Sequence, residues 1–426
     1  MKLRTLTFDT ETLSLVKDWK TPVDKMTPEQ LANEPLTLQV AWIVNEIDTE
    51  TLEIVELEAF KSYVHPSTDY PSFVEQNFEN NEAVKVNGIS WQMCIDSEFD
   101  MKSILQKMHT SINEHNVDCL LAHNAQFDVK VLQCELKRTG INDWLSGLHI
   151  ICTKILFKGF ADAAGIRATL ESAYRYFNDG QMFDGAHDAF ADVNGCYNVF
   201  VGCCKKLNMW PLPDSVLCVA AYSNGWHEHI PASIWQQSGW HSVAEIDLVQ
   251  GQLSCPQAYT VKKMYIKQEQ YAEECLKHYN VDIEACKVGY EMKTALHLLN
   301  VYIQFSRLVI FHGAQFHVGL LNAQYMKHKA NAADNYVSGI TNALWQKPWF
   351  VDCNIFGSIM LPNLCVRPNY IRREDIYEHF AGKQPTSDVI AALSIYYNFI
   401  WLHNECVNKN NIEPLMQSYV CTSNLK

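Results

Sequence analysis

The segment MKLRTLTFDTETLSL (1–15) places two carboxylates, Asp9 and Glu11, one residue apart at the end of an apolar, β-favouring run. In a strand, residues i and i+2 share a face. Asp9 and Glu11 therefore project together, while Phe8 and Thr10 face the other way. Such a pair can converge on one cation, or it can sit on a solvated strand end. The surrounding sequence has to decide between these.

Working outward, LRTLTF (3–8), LTLQVAWIV (36–44) and TLEIVELEAFKSYV (51–64) are rich in β-branched and aromatic residues and predict strands. MKSILQKMHTSINEH (101–115) has helical periodicity, with Ile104, Leu105, Met108 and Ile112 on one face. DCLLA (118–122) and LHIIC (148–152) are short apolar runs of the interior-strand type. NAQFDVKVLQCELKRTG (124–140) predicts a helix with Asn124 as N-cap and Gly140 as terminator. HDAFADVNGCYNVFVGCCKKL (187–207) predicts another, with Val193, Cys196, Tyr197 and Phe200 inward. Strands interleaved with helices mean an α/β or α+β sandwich.

Two of these stretches carry further candidates. In LLAHNAQFDVKVL (120–132) an apolar strand ends and Asp128 falls in the first turn of the next helix. A helix N-terminus accepts a negative charge, so Asp128 is either a dipole partner or a third carboxylate at the sheet edge. In GAHDAFADVNG (185–195), His187 and Asp192 are five apart, which on one helix separates them by about 140°. They can share a site if His187 lies in the loop and Asp192 inside the helix; the plainer alternative is a capping Asp188 and an exposed His.

The chain has 426 residues, a formal net charge of −14, 48% hydrophobic and 19% charged residues, which suits two or three soluble domains. Residues 1–200 hold 16 Lys+Arg against 30 Asp+Glu (16 − 30 = −14), and residues 201–426 hold 18 of each. The acidic excess lies wholly in the first half, which excludes a basic nucleic-acid coat protein and suits carboxylates that hold metal. Fifteen scattered cysteines without a C-x-x-C pair read as free thiols. MKLRTLTFDT lacks a signal peptide's apolar segment. A reducing, cytoplasmic setting is expected, the host cytoplasm for a viral source. VIAALSIYYNFIWL (389–402) is shorter than the ~18 residues of a membrane span and reads as a buried core helix.

The three acidic stretches, FDTET (8–12), HNAQFD (123–128) and AHDAFADV (186–193), resemble in that order the motifs of the DEDD-type 3′–5′ exonucleases, His subclass, also called DnaQ-like. GIS (88–90) and RATLESAYRYF (167–177) also sit where that family has related segments, and the resemblance covers about residues 1–205. It implies a ribonuclease H-like mixed sheet flanked by helices. It implies two divalent ions, Mg²⁺ or Mn²⁺, held by Asp9, Glu11, Asp128 and Asp192, with His187 as general base; hard cations require such oxygen ligands. Thr10, Thr12 and Asn124 are the expected substrate contacts. The implied substrate is the 3′ end of single-stranded or frayed DNA, with RNA as the alternative; a non-catalytic nucleic-acid-binding module is the second alternative. The sequence departs from the family where Thr12, Leu13 and Ser14 follow Glu11 without a glycine, where residues 13–36 form an insertion, and where relatives often carry Asp at the position of Cys152.

Three segments are expected: an exonuclease domain (1–207), an irregular Trp- and Pro-containing connector (208–262), and a mainly α-helical domain (263–426), strongly helical to about 345, that shapes substrate entry or binds a protein partner. No internal repeat is evident. CLKHYNVDIEAC (275–286) holds Tyr279 only three before Asp282 and reads as the surface stripe of an amphipathic helix. His227, Glu228, His229, His241 and Cys255 lack the paired spacing of zinc sites. Trp226, Trp235 and Trp240 with Lys262, Lys263 and Lys267 suggest either a stacking platform for a single strand or connector packing, and Arg372 and Arg373 either a phosphate contact or solvated charges.

Overall fold

The computed structural model describes residues 1–66, 75–78, 81–183, 185, 187–225, 242–328, 349–366, 370–385, 391–411, 413–417 and 419–421. The chain divides into two units, Met1–Trp210 and Pro211–Lys426.

The first unit is built on a five-stranded sheet in the order β3-β2-β1-β4-β5. Its strands are β1 (Lys2–Thr12), β2 (Thr37–Asp48), β3 (Ile54–Tyr63), β4 (Cys119–Ala122) and β5 (Ile150–Cys152). β2 runs antiparallel to β1 and to β3, β4 runs parallel to β1, and β5 runs parallel to β4. All the predicted strands are present, and β1 extends through both acids to Thr12. β2 is almost wholly buried, as a strand covered on both faces must be. β3 is an edge and carries Glu56, Glu58 and Lys61 among its apolar residues, which discourages pairing with another chain.

Short helices α1 (Pro28–Asn33), α2 (Glu82–Asn87) and α3 (Trp91–Ile95) precede α4 (Met101–Glu114). α4 buries Ile104, Leu105, Met108 and Ile112 as its periodicity predicts. α5 (Gln126–Arg138) follows β4, then come α6 (Thr153–Ala164), α7 (Leu170–Phe177) and α8 (Ala189–Leu207). α8 lies against the sheet face that carries Asp9, with Ala189 and Val193 packed on Ala41 and Ile43. Its glycines are sites of close approach: a Cβ on Gly195 would meet the Phe183 ring at 2.6 Å and one on Gly202 the Phe177 ring at 2.5 Å. The insertion 13–36 is held to α5 by cations: Lys130 donates to the Thr21 carbonyl, Lys137 to those of Val23 and Met26, and Arg138 to those of Leu31 and Pro35.

One cap differs from expectation. Asn124 is not the N-cap of α5; Ala125 is, without a side-chain bond. Asn124 takes left-handed backbone (φ +66°) at the strand–helix turn, a conformation its short polar side chain tolerates better than most.

The second unit corrects the expected organisation. Residues 208–262 are not an irregular connector: β6 (Ser215–Ser223), β7 (Val243–Gln252) and most of β8 (Tyr259–Tyr265) lie within them. Pro211, Pro213 and Pro256 fall between or before strands, where they punctuate the sheet and remove no ladder donor. These strands join β9 (Leu308–Phe311), β10 (Trp349–Asp352) and β11 (Tyr419–Cys421) in a six-stranded sheet, ordered β11-β10-β9-β6-β7-β8. β9 also interrupts the stretch read as helical to 345.

Beyond residue 263 helices dominate as expected: α9 (Glu273–His278), α10 (Ile283–Lys287), α11 (Met292–Gln304), α12 (Ala314–Lys327), α13 (Cys353–Met360), α14 (Arg373–Ala381), α15 (Ala391–Asn408) and α16 (Glu413–Gln417). One sheet face, with Leu217, Val219 and Ala221, packs on α11 and α12. The other, with Val216, Cys218 and Ala220, packs on α13, α14 and α15. α15 contains most of the apolar run 389–402, and among the described residues no helix is long and apolar enough to cross a membrane. Tyr279 and Asp282 do not share a helix: Tyr279 ends α9 and Asp282 caps α10. The cysteines among the described residues are unbridged.

Candidate active site

β1 outruns its parallel neighbour. It pairs with β4 through Thr5, Leu6 and Thr7, which lie opposite Cys119, Leu120 and Leu121. Asp9–Thr12 therefore project past the carboxyl end of β4, where open sheets of this kind place their ligands. The register with β2 shifts between Glu11 and Thr12, a bulge that bends the strand just beyond the second acid.

Beyond the end of β4, the Thr10 amide donates to Asp128 Oδ1 at 3.1 Å, and the Thr10 hydroxyl donates to the same oxygen at 2.7 Å. Asp128 is buried in the first turn of α5. Thr10 thus positions an acid. The Thr12 hydroxyl donates to the Ser14 carbonyl at 2.7 Å, and Asn124 holds the turn before α5.

α8 supplies the fourth acid. Asp188 is its N-cap, accepting from the amides of Phe190 and Ala191, and it pairs with Lys61. Asp192 lies in the first helical turn, and its Oδ2 accepts from the His187 amide at 3.3 Å. His187 is exposed in the preceding loop with φ +71°. Both readings of this stretch hold together: Asp188 caps, and His187 and Asp192 still converge. Ligand atoms of Glu11, His187 and Asp192 lie within 4.8 Å of one another.

Two positioning residues escaped the sequence reading. Gln39, the cross-strand partner of Glu11, accepts from the Ala189 amide at 2.9 Å and docks the start of α8 beside β1. Its signal was a lone amide inside the apolar run 36–44. Asn87 donates to the Thr12 carbonyl at 3.4 Å and stands beside Glu11; nothing in its sequence context marks it.

The acids repel one another. Burial, then the charges of Asp128, Asp192 and Glu11, raises Asp9 well above the carboxylate range. Burial, then Asp192 and Asp128, pushes Glu11 up to about 8. Burial raises Asp128 to about 7 against the two bonds from Thr10, and raises Asp192 to about 6 against the His187 amide. A cluster of carboxylates this close stays ionised at neutral pH only beside a cation. Its all-oxygen acid set fits a hard divalent ion.

Other sequence candidates have partners within the second unit. Lys263 pairs with Glu245, Lys267 with Glu291, and Lys262 lies over the Tyr290 ring. Arg372 pairs with Asp375 and Arg373 with Glu374. Trp226, His227, Glu228, His229, Trp235, Trp240 and His241 lie outside the described residues.

Residues 43–200 match the family model described as Exonuclease, RNase_T. The match includes Asp128, His187 and Asp192 and begins after β1. No curated protein matches the chain. Among solved structures, E. coli exonuclease I in complex with a 5cy-dT13 oligonucleotide is similar at 14% identity and TM-score 0.36, over 100% of this chain and 98% of that one. The nuclease domain of 3′hExo, a DEDDh family member bound to rAMP, is similar at 14% identity and TM-score 0.31, over 48% of this chain and 92% of that one. Cell-death related nuclease 4 is similar at 15% identity and TM-score 0.33, over 55% of this chain and 70% of that one. These are distant likenesses. Residues 43–200 of the N-terminal unit carry an exonuclease domain of the RNase_T type.

Proposed function

We propose that this enzyme releases mononucleotides from the 3′ end of single-stranded DNA, with Asp9, Glu11, Asp128 and Asp192 holding two Mg²⁺ or Mn²⁺ ions and His187 as general base. The observation that carries the reading is the convergence of these acids from β1, α5 and α8 on one sheet end, with His187 beside Glu11 and Asp192. When bound, the ions would activate the attacking water and stabilise the leaving oxygen.

The chain's own residues do the rest. Thr10 fixes Asp128 through two bonds to one oxygen, which leaves the other oxygen available to an ion. Gln39 fixes the start of α8 and with it Asp192. The His187 ring sits in a loop whose amide is tied to Asp192. Its imidazole can accept the proton of a water and release it to solvent, because His187 is exposed.

The test is product analysis on 3′-labelled and 5′-labelled single-stranded DNA, with Mg²⁺, with EDTA, and with Asp9→Ala. Mononucleotide release from the 3′ end alone, lost with chelator and with the variant, is the expected result. A matched RNA strand cleaved in preference to DNA would replace the substrate assignment. Strand binding without release from either polymer would point to the non-catalytic module.

A further inference from the structure

The second unit repeats the first. The order β8-β7-β6-β9-β10 reproduces β3-β2-β1-β4-β5, and every strand pair keeps its direction: β6–β7 and β7–β8 antiparallel, β6–β9 and β9–β10 parallel. β11 is an added edge. The register also agrees. Thr5, Leu6 and Thr7 pair with Cys119, Leu120 and Leu121 in one unit; Val216, Leu217 and Cys218 pair with Leu308, Val309 and Ile310 in the other.

This correspondence aligns HNAQFD (123–128) with HGAQFH (312–317), four of six residues being identical at an offset of 312 − 123 = 189. The sequence therefore does contain an internal repeat, contrary to expectation. The atoms follow it. Asp128 accepts from the amide of Thr10, and His317 Nδ1 accepts from the amide of Ala221, the register equivalent of Thr10, at 3.2 Å. α15 buries Ala392, Ile395, Tyr396, Phe399 and Leu402 with the spacing of Val193, Cys196, Tyr197, Phe200 and Cys203 in α8.

The same alignment locates the acid positions. Asp9 becomes Ala220, Glu11 becomes Tyr222, Asp128 becomes His317 and Asp192 becomes Ala391. None of the four positions keeps a carboxylate. Asp247 and Glu245, opposite Ala220 and Tyr222 on β7, remain on that face. One oxygen of each is served from within the protein: Lys263 lies 2.9 Å from Glu245 Oε1, and the Tyr222 hydroxyl donates to Asp247 Oδ2 at 3.2 Å, while Glu245 Oε2 and Asp247 Oδ1 are buried without a hydrogen-bond partner. A tethered ammonium occupies the role of counter-ion. Among the described residues, the cluster of three metal-ligating side chains lies in the first unit.

We infer that Pro211–Lys426 is a second copy of the exonuclease fold that has lost its divalent-ion site, and that this unit neither binds a catalytic ion nor hydrolyses phosphodiesters. The inference rests on topology and residue replacement within the second unit and stands apart from the ion assignment in the first.

The test titrates Mn²⁺, followed by the electron paramagnetic resonance of the free ion, into the full-length wild type, D9N/D128N and D247N/H317A, with hydrolysis of labelled single-stranded DNA measured alongside. Expected is loss of the Mn²⁺ sites and of hydrolysis in D9N/D128N, and wild-type stoichiometry in D247N/H317A. A Mn²⁺ site, or nucleotide release, that survives D9N/D128N and disappears when D247N/H317A is added would overturn the inference. A wild type that binds no Mn²⁺ would defeat the ion assignment in the first unit while agreeing with an ion-free second unit.

Discussion

The acids at the end of β1 make the stability of the metal-free enzyme depend on pH with a definite sign. In the folded state Glu11 titrates at about 8 against 4.5 unperturbed, and Asp192 at about 6 against 3.8. A raised folded pKa means that the folded state holds its proton more tightly than the unfolded chain. The associated stability is present below the unfolded pKa and is lost as pH rises through the folded one. Metal-free protein should therefore lose stability from about pH 4 to about pH 8. One pH unit corresponds to about 1.4 kcal/mol, so the Glu11 shift alone sets a ceiling of about 5 kcal/mol. Screening at a partly exposed group reduces this to about 2 kcal/mol. For a unit of this size that is about 4–8 °C in Tm.

A divalent ion held by these acids should reverse the trend. An ion at 100 times its Kd stabilises by about 2.7 kcal/mol, and protons compete with it for the acids, so its effect grows as pH rises. The assay is thermal unfolding in EDTA and in saturating Mg²⁺ at pH 5.5, 7 and 8.5. The expected result is a falling Tm in EDTA, a flatter one in Mg²⁺, and the largest difference at pH 8.5. Asp9→Asn removes one like charge; it should raise the EDTA Tm at pH 8.5 and reduce the Mg²⁺ shift. A Tm in EDTA that rises with pH, or a Mg²⁺ shift independent of pH, would refute the reasoning.

Three further outcomes follow from single contacts. His187→Ala should lower kcat by about 10²–10⁴-fold with Tm unchanged, because the ring is exposed; steady-state kinetics with a melting curve separates the two effects. Thr10→Val removes the 2.7 Å bond to Asp128 and keeps the amide bond. At about 1 kcal/mol for such a bond, kcat should fall several-fold, and the acidic limb of the rate profile should move to higher pH as Asp128 loses an opposing donor. Glu135→Gln acts away from the site: Glu135 is buried, accepts from Thr37 and pairs with Arg138 at 3.0 Å. Arg138 keeps its bonds to the Leu31 and Pro35 carbonyls but loses its charge partner, at about 3 kcal/mol, so Tm should drop by about 6–12 °C while Mn²⁺ stoichiometry at low temperature stays that of wild type.

The legibility of this chain differs between its halves for a physical reason. In the first half each element announces itself locally. LRTLTF and LTLQVAWIV are buried strands, and the face of 101–115 is the buried face of α4. The acids sit at strand and helix ends where polarity interrupts an apolar run. What stayed hidden there is whatever depends on a partner far along the chain. Thr10 reads as a substrate contact until Asp128, 118 residues away, takes its hydroxyl. Asn124 reads as a cap until its backbone turns left-handed.

In the second half the prolines and tryptophans misled. Composition averages over 208–262, but the sheet is specified by the short runs between prolines, and β6 needs only nine residues. The repeat was hidden because the residues most readily noticed, the acids, are the ones that changed. What persisted is the material of the fold: strand register, the small residue at the turn before the helix, and the buried spacing of the last helix. A catalytic motif can be erased by four substitutions, whereas replacing a buried register or helix face would disturb the core along its whole length. The fold therefore outlasts the site, and in this chain Ala220, Tyr222, His317 and Ala391 mark where chemistry was given up while the architecture that once served it was kept.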